Sequence, residues 1–307
     1  MIWVRIPVGS LLICRTPVFI NSQRTCKQVR QINLQCVRNF FAMSIEFHQM
    51  KFIKSTSLLF IFFCCAEIQG TFAQTSLFSY NHYVNENGDT LNYRLLNPDY
   101  NSVRKYPLVV FLHGSGERGN DNEAPLKWGM SEFADEHIMM QYPAFVIAPQ
   151  CPSDMEWANY DEDETTMTMT LKPSPSKPME LVIALIHHLI AEFPIDTGRI
   201  YITGLSMGGH GTYDAIQRNP NLFAAAVPVC GAGDTSRAAS IAHIPIWIFH
   251  GAEDPAVDPI YSLNMFAALT KAGAHPGFTQ YPEVGHFSWL GAYTDPQMLA
   301  WLFRQNK

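Results

Sequence analysis

Gly204-Leu205-Ser206-Met207-Gly208 fits the pattern G-x-S-x-G. A serine hydroxyl is a weak nucleophile near neutral pH. It becomes useful only when a base takes its proton and an acid orients that base. Five residues can match by chance, so the flanks decide. Residues 199–203 read as a buried strand running straight into the pattern, and a helical pattern opens directly after it. A serine held in that strand-to-helix turn is exposed at the sheet edge, beside a helix N-terminus whose dipole favours negative charge. Gly204 and Gly208 leave room for close backbone approach, and Gly209 lets the helix pack tightly. The competing reading is a glycine-rich turn without chemistry.

The partners of such a serine follow it in chain order, first an Asp or Glu and then a His. His286 fills the base position, in Val284-Gly285-His286-Phe287, after a short strand-like run and before the last helix. The rivals fit less well. His113 precedes the serine, His187 and His188 sit in a helix, and His210 lies on the helix of Ser206 itself. His250 closes a strand, where backbone hydrogen bonds would hold it. The acid comes from residues 250–258, with Asp254 chosen and Glu253 and Asp258 as alternatives. Asp258 immediately precedes Pro259, which suits a helix cap.

The negative charge that develops on an attacked carbonyl needs two backbone N–H donors. One belongs to the residue after the nucleophile, Met207. The other comes from His113-Gly114-Ser115-Gly116, where Ser115 is favoured and Gly114 is the near alternative. Trp128, Trp157, His210, Trp289 and Tyr293 are candidate pocket walls, although most large aromatics are core.

These residues need a scaffold. Residues 77–84 and 90–97 alternate as strands around Asn85-Glu86-Asn87-Gly88-Asp89, which predicts a hairpin. Continuous apolar runs at 107–114, 144–150, 199–206, 224–231 and 244–251 predict strands buried on both faces. Helical patterns lie between and after them, at about 122–137, 179–193, 207–218, 258–273 and 294–305. The alternation predicts an α/β fold with a mostly parallel sheet of about eight strands and helices on both faces. Residues 151–178 break the rhythm with Asp154, Glu156, Asp161, Glu162, Asp163 and Glu164. That segment is either a solvated surface loop or a flap over the site, and Trp157 favours the flap. No zinc-spaced Cys/His cluster or phosphate-binding lysine loop is visible, so neither metal nor cofactor is expected.

The chain has 307 residues, 47% apolar and 16% charged, enough for a packed core. A net charge of −6 argues against nucleic acid as the main partner. The charge is uneven: residues 1–73 carry 8 Lys/Arg and 2 Asp/Glu, whereas residues 74–307 carry 13 and 25. Residues 50–73 have a short basic start, an apolar run at 57–66 and Thr71-Phe72-Ala73 before Gln74. That is the plan of a secretory signal peptide cut after Ala73, predicting a secreted or periplasmic protein. The apolar run is too short to span a membrane. A lipoprotein signal at Cys64 or Cys65 and a buried helix are the alternatives. Residues 1–49 then read as upstream sequence before a true start at Met50, and 74–307 as one catalytic domain.

The pieces HGSGERG, APQCP, GLSMGG, FHGAEDPAV and VGHFSW resemble the α/β-hydrolase superfamily over nearly all of residues 74–307. They look most like a bacterial group close to the dienelactone hydrolases. That group borders the polyhydroxybutyrate depolymerase, feruloyl and acetylxylan esterases, and includes esterases and peptidases with a prolyl-oligopeptidase-like catalytic domain. The resemblance implies Ser206, Asp254 and His286 as the triad and makes Glu117 and Arg118 structural or site-shaping. Dienelactone hydrolases use a cysteine nucleophile, so that activity is not implied for Ser206. In this fold two strands separate those bearing Cys151 and Cys230, about 14 Å, too far for a disulfide.

The expected function is a serine hydrolase of carboxylic esters, with acyl groups on plant polysaccharide implied by resemblance alone. A peptidase is the second hypothesis, disfavoured because no propeller domain fits the length. A non-catalytic binding module is the third, disfavoured because every triad member is present.

Overall fold

The computed structural model describes residues 74–101 and 103–307. The leader expected at 50–73 and the extension expected at 1–49 lie outside the described residues. Eight strands form the main sheet: β1 (Ser79–Val84), β2 (Thr90–Leu96), β3 (Tyr106–Leu112), β4 (Phe145–Pro149), β7 (Ile195–Leu205), β8 (Ala225–Val229), β9 (Trp247–Gly251) and β10 (Gly277–Tyr281). Two more, β5 (Tyr160–Asp163) and β6 (Thr168–Leu171), pair with each other. The helices are α1 (Met130–Phe133), α2 (Glu136–Gln141), α3 (Lys177–Glu192), α4 (Met207–Arg218), α5 (Ala238–Ile241), α6 (Ile260–Lys271), α7 (Trp289–Tyr293) and α8 (Pro296–Leu302).

The sheet order is β1-β2-β4-β3-β7-β8-β9-β10. Within it β4, β3, β7, β8, β9 and β10 run parallel, and the β1–β2 hairpin joins antiparallel through β2. Every residue of β3, β4 and β8 is buried, as expected for strands covered on both faces. Side chains of β3 alternate between two cores. Leu108, Val110 and Leu112 pack with α3, α4 and α6; Val109 and Phe111 pack with α1, α7 and α8.

The chain leaves β3 for β4 on one side, then crosses to β7 on the other. That reversal opens a crevice beyond the C-terminal ends of β3 and β7, where open α/β sheets place their ligands. It brings residues 113–118 and Ser206 side by side.

Two expectations need correction. The helix expected at 122–137 is a one-turn 3₁₀ helix at Ala124–Leu126 followed by α1 and α2. Gly129 has φ 72°, in the left-handed region, and Asp135 caps α2 by accepting from the N–H groups of His137 and Ile138. The helix expected at about 294–305 is α8, capped by Asp295 with Pro296 at its first position, and α7 lies just before it. Residues 151–178 are an anchored structure and not a bare loop. Met169 packs with Ala232 and Tyr261, Leu171 N–H donates to Asp234 at 3.1 Å, and Tyr261 donates to Glu162 at 2.6 Å.

Candidate active site

Strand β7 delivers Ser206 at φ 54° and ψ −117°, an uncommon conformation for a residue with a β-carbon. The turn is enforced by contact. A β-carbon on Gly204 would strike the carbonyl of Gly208, and one on Gly208 would strike the carbonyl of Leu112. The Ser206 N–H is spent on Val229 O at 2.9 Å, which ties the turn to β8.

His286 opens a one-turn 3₁₀ helix at His286–Ser288. Its Nε2 lies 2.9 Å from Ser206 Oγ and its Nδ1 lies 2.7 Å from Asp254 Oδ2. A carboxylate only accepts, so Nδ1 carries the proton and Nε2 is free to accept from the serine. The loops bearing the acid and the base are stitched together. Ala252 N–H donates to Tyr281 O and Glu253 N–H to Val284 O, each at 2.9 Å.

The other Asp254 oxygen, Oδ1, accepts from Ala256 N–H at 2.9 Å and Val257 N–H at 3.0 Å. Burial opposes ionisation of this carboxyl. Hydrogen bonds from His250, His286, Val257 and Ala256 outweigh it and hold the group well below the usual carboxylate range. The two alternative acids are elsewhere. Glu253 is exposed, and Asp258 caps the start of α6 by accepting from Ile260 N–H at 2.8 Å.

The N–H groups of Met207 and Ser115 have no acceptor among the described residues. Met207 is the first residue of α4 and Ser115 the first of a 3₁₀ turn at Ser115–Glu117, so neither has an intrahelical acceptor. Gly114 N–H is similarly uncommitted, so the alternative on this loop stays open. What holds the loop is His113, which is 1% exposed. Its Nε2 accepts from Cys151 N–H at 3.0 Å, so its Nδ1 must carry the proton that it gives to Gly114 O at 2.7 Å. Burial pushes His113 down to about 4 from an ordinary 6.5. Sequence alone showed His113 as the head of this loop and not as the pin that holds it.

His250 is the second residue that the sequence under-read. It is fully buried, with Nδ1 2.7 Å from Ser262 Oγ and Nε2 2.9 Å from Val257 O. A carbonyl only accepts, so Nε2–H donates there while lying 3.3 Å from Asp254 Oδ2. His250 therefore clamps the 254–257 turn that presents the acid.

The pocket-wall candidates divide. Trp157 is 0% exposed and donates from Nε1 to His113 O at 3.0 Å, so it braces the loop from below and is not a wall. Tyr293 is also core, bonded to Thr203 at 3.0 Å. Trp289 is buried edge-on against the His286 ring at 5.2 Å and backs the base. His210 is partly exposed, next to the Tyr160 ring at 5.5 Å. Trp128 is half-buried. Glu117 shapes the loop from a buried position by accepting from Trp128 Nε1 at 3.1 Å. Arg118 joins it to the acidic segment through Met155 O at 3.3 Å.

Among the described residues, one group of three could hold a metal: Cys230, Asp254 and His286 offer ligand atoms within 4.8 Å of one another. An ion there would displace the 2.7 Å Asp254–His286 hydrogen bond, so the same atoms serve either a metal or a relay. Cys151 and Cys230 are both unbridged, burial pushes both thiols up to about 12, and strands β3 and β7 lie between their parent strands. The 860 Å³ cleft lined by Phe133, Asp135, Ile138, Tyr142 and Phe303 includes none of the triad.

Comparison with known proteins agrees with this architecture. A family profile described as phospholipase/carboxylesterase matches residues 100–294. A bifunctional acetylxylan esterase/xylanase of Neocallimastix patriciarum is 27% identical over 178 residues, which is 58% of this chain and 23% of that protein. Among solved structures, a thermostable esterase is 40% identical with a TM-score of 0.70, covering 76% of this chain and 64% of that one. A ferulic acid esterase shares the fold at 17% identity and a TM-score of 0.57, covering 74% of this chain and 98% of that one. This chain thus spans less than a quarter of its curated relative and under two thirds of the thermostable esterase. The profile match takes in well over half of its residues, and the chain belongs to the phospholipase/carboxylesterase family of α/β hydrolases.

Proposed function

We propose that this protein is a serine hydrolase that cleaves carboxylic esters through an acyl-enzyme. The reading rests on one observation: the continuous chain from Asp254 Oδ2 through His286 to Ser206 Oγ, with links of 2.7 and 2.9 Å. Ser206 Oγ attacks the ester carbonyl while His286 Nε2 takes its proton. The oxyanion forms against the N–H groups of Met207 and Ser115. His286 then returns the proton to the departing alcohol, and the acyl group stays on Ser206. Water, activated by the same nitrogen, releases the acid. Asp254 stays ionised throughout, keeping the proton on Nδ1 and stabilising the imidazolium that forms.

The finer reading is an acyl group carried on plant polysaccharide, acetyl first. The name of the Neocallimastix relative supports it, and a feruloyl group is the other acyl to test. Export is proposed from the three-part pattern at 50–73, with residues 1–49 untranslated. A peptide from residues 1–49 in the natural product would overturn that point. Among the described residues, no helix is long and apolar enough to cross a membrane.

The test is hydrolysis of para-nitrophenyl acetate and methyl hydroxycinnamates by the full chain, beside Ser206→Ala. Wild-type turnover with an acyl burst, falling by about 10⁵-fold or more in the variant, is expected. Ester turnover that survives in the variant, or no turnover of any ester with cleavage of peptide amides instead, would overturn the reading.

A further inference from the structure

We infer that Phe287, backed by Trp128, forms the alcohol-side subsite and takes the apolar face of a sugar ring. This rests on the ester-hydrolase reading above.

Chemistry places the alcohol. His286 Nε2 is the group that reprotonates the leaving oxygen, so that oxygen must come within about 3 Å of it. Whatever the alcohol carries therefore starts beside His286. The acyl group, attached on the other side of the carbonyl carbon, points away from it.

The surface beside His286 is aromatic. Trp289 stands edge-on to the imidazole at 5.2 Å and 85°. Phe287 lies 4.8 Å from Trp289, and Trp128 lies 6.2 Å from Phe287 and 6.1 Å from Trp289. Trp289 is buried, but Phe287 is 56% exposed. A lone exposed phenylalanine means little, because folded surfaces carry many apolar atoms. This one is the outer member of a three-ring cluster that begins at the catalytic base.

The cluster is also held in place. Trp128 Nε1 donates to Glu117 Oε1 at 3.1 Å, and Lys127 Nζ lies 3.6 Å from the same oxygen. Glu117 belongs to the turn that begins with Ser115. The oxyanion loop and the aromatic shelf are thus set by one buried carboxylate. Lys127 Nζ sits 5.0 Å from the Trp128 ring centre, and its side chain is 56% exposed, so a cation rims the shelf.

The form of the shelf selects the ligand. An alkyl chain gains most from enclosure on all sides. Phe287 is more than half exposed, so it cannot enclose a ligand, and Lys127 stands at the edge of its cluster. A pyranose matches that: its axial C–H groups can lie on the ring, while its hydroxyls stay in water or reach Lys127.

The experiment compares two mono-acetyl esters that differ only in the alcohol, ethyl acetate and methyl 4-O-acetyl-β-xylopyranoside, using the full chain. Ser206-dependent hydrolysis of ethyl acetate by wild type first secures the ester reading. Phe287→Ala should then lower kcat/KM on the sugar acetate by about tenfold, mostly through KM, and leave ethyl acetate within about twofold. Phe287→Trp should retain the sugar rate. Equal losses on both esters in Phe287→Ala would mean that the ring merely props His286. No loss on the sugar acetate would mean that the sugar does not use the shelf. Wild type that hydrolyses ethyl acetate but not the sugar ester overturns the subsite while leaving the esterase intact. Each of these three results overturns the proposal.

Discussion

Asp254→Asn is a near-isosteric change whose outcome can be worked from the hydrogen bonds. In wild type, Oδ1 accepts from two backbone N–H groups, those of Ala256 at 2.9 Å and Val257 at 3.0 Å. An asparagine here has two orientations. With its NH₂ toward those N–H groups, donors face donors. Two buried hydrogen bonds are lost at about 1 kcal/mol or more each. The other orientation keeps both bonds and puts the NH₂ where Oδ2 was, 2.7 Å from His286 Nδ1. That amide donates, so Nδ1 must accept, and the imidazole proton moves to Nε2. Nε2 then points an N–H at Ser206 Oγ, from 2.9 Å away, and cannot take the serine proton. The expected loss is roughly 10⁴-fold in kcat, or about 5 kcal/mol of transition-state stabilisation. KM should change little, because the pocket is untouched. The assay is steady-state hydrolysis of para-nitrophenyl acetate near pH 7, with thermal melting to show that the variant is folded. The exposed neighbour Glu253→Gln serves as control and should keep wild-type activity. A folded Asp254→Asn variant within tenfold of wild type would falsify the tautomer argument.

Other consequences are as direct. His250→Phe removes the clamp on the 254–257 turn and leaves Ser262 and the Val257 carbonyl without their imidazole. We expect kcat to fall by up to about 10²-fold with KM nearly constant; unchanged kcat in a folded variant would deny His250 its positioning role. Gly208→Ala drives a β-carbon into the Leu112 carbonyl. That should cost about 1–3 kcal/mol, a melting shift of several degrees, and an unchanged melt would show that the two backbones can part. His113 is lowered to about 4 in the folded protein from 6.5. The unfolded chain therefore binds one more proton between these values, so stability is complete above about pH 6.5 and declines toward pH 4, by on the order of 3 kcal/mol in all. His210, lowered by burial and by nearby His286 and His250, acts in the same direction. Denaturant melts across that window should show a shallower pH slope in His113→Gln than in wild type; identical slopes would contradict the assignment.

Much of the site could be read from residue order alone. Ser206, Asp254 and His286 each follow a strand, and a parallel sheet puts all strand C-termini on one edge, so sequence order implies spatial convergence. Buried strands announce themselves as unbroken apolar runs, which made β3, β4, β7, β8 and β9 legible, whereas β1 and β2 were legible from their alternation around a turn. The β5–β6 hairpin was not. Tyr160-Asp161-Glu162-Asp163 has neither alternation nor an apolar run, and is held by distant partners such as Tyr261. Trp157 shows the same limit. An aromatic in an acidic segment suggests a flap, and nothing local says that its indole N–H reaches His113 O, 44 residues back.

What the sequence by itself determined is the list of reacting groups and their order, because motif glycines, strand runs and cap residues act over a few positions. Tertiary structure alone decided that His113 is a pin and His250 a clamp. His286, His113 and His250 all follow or close apolar strand-like runs in the sequence. They differ in what stands opposite each ring nitrogen: a serine and a carboxylate, two backbone groups, or a hydroxyl and a carbonyl. A ring nitrogen donates or accepts according to its partner, and those partners lie up to 80 residues away along the chain.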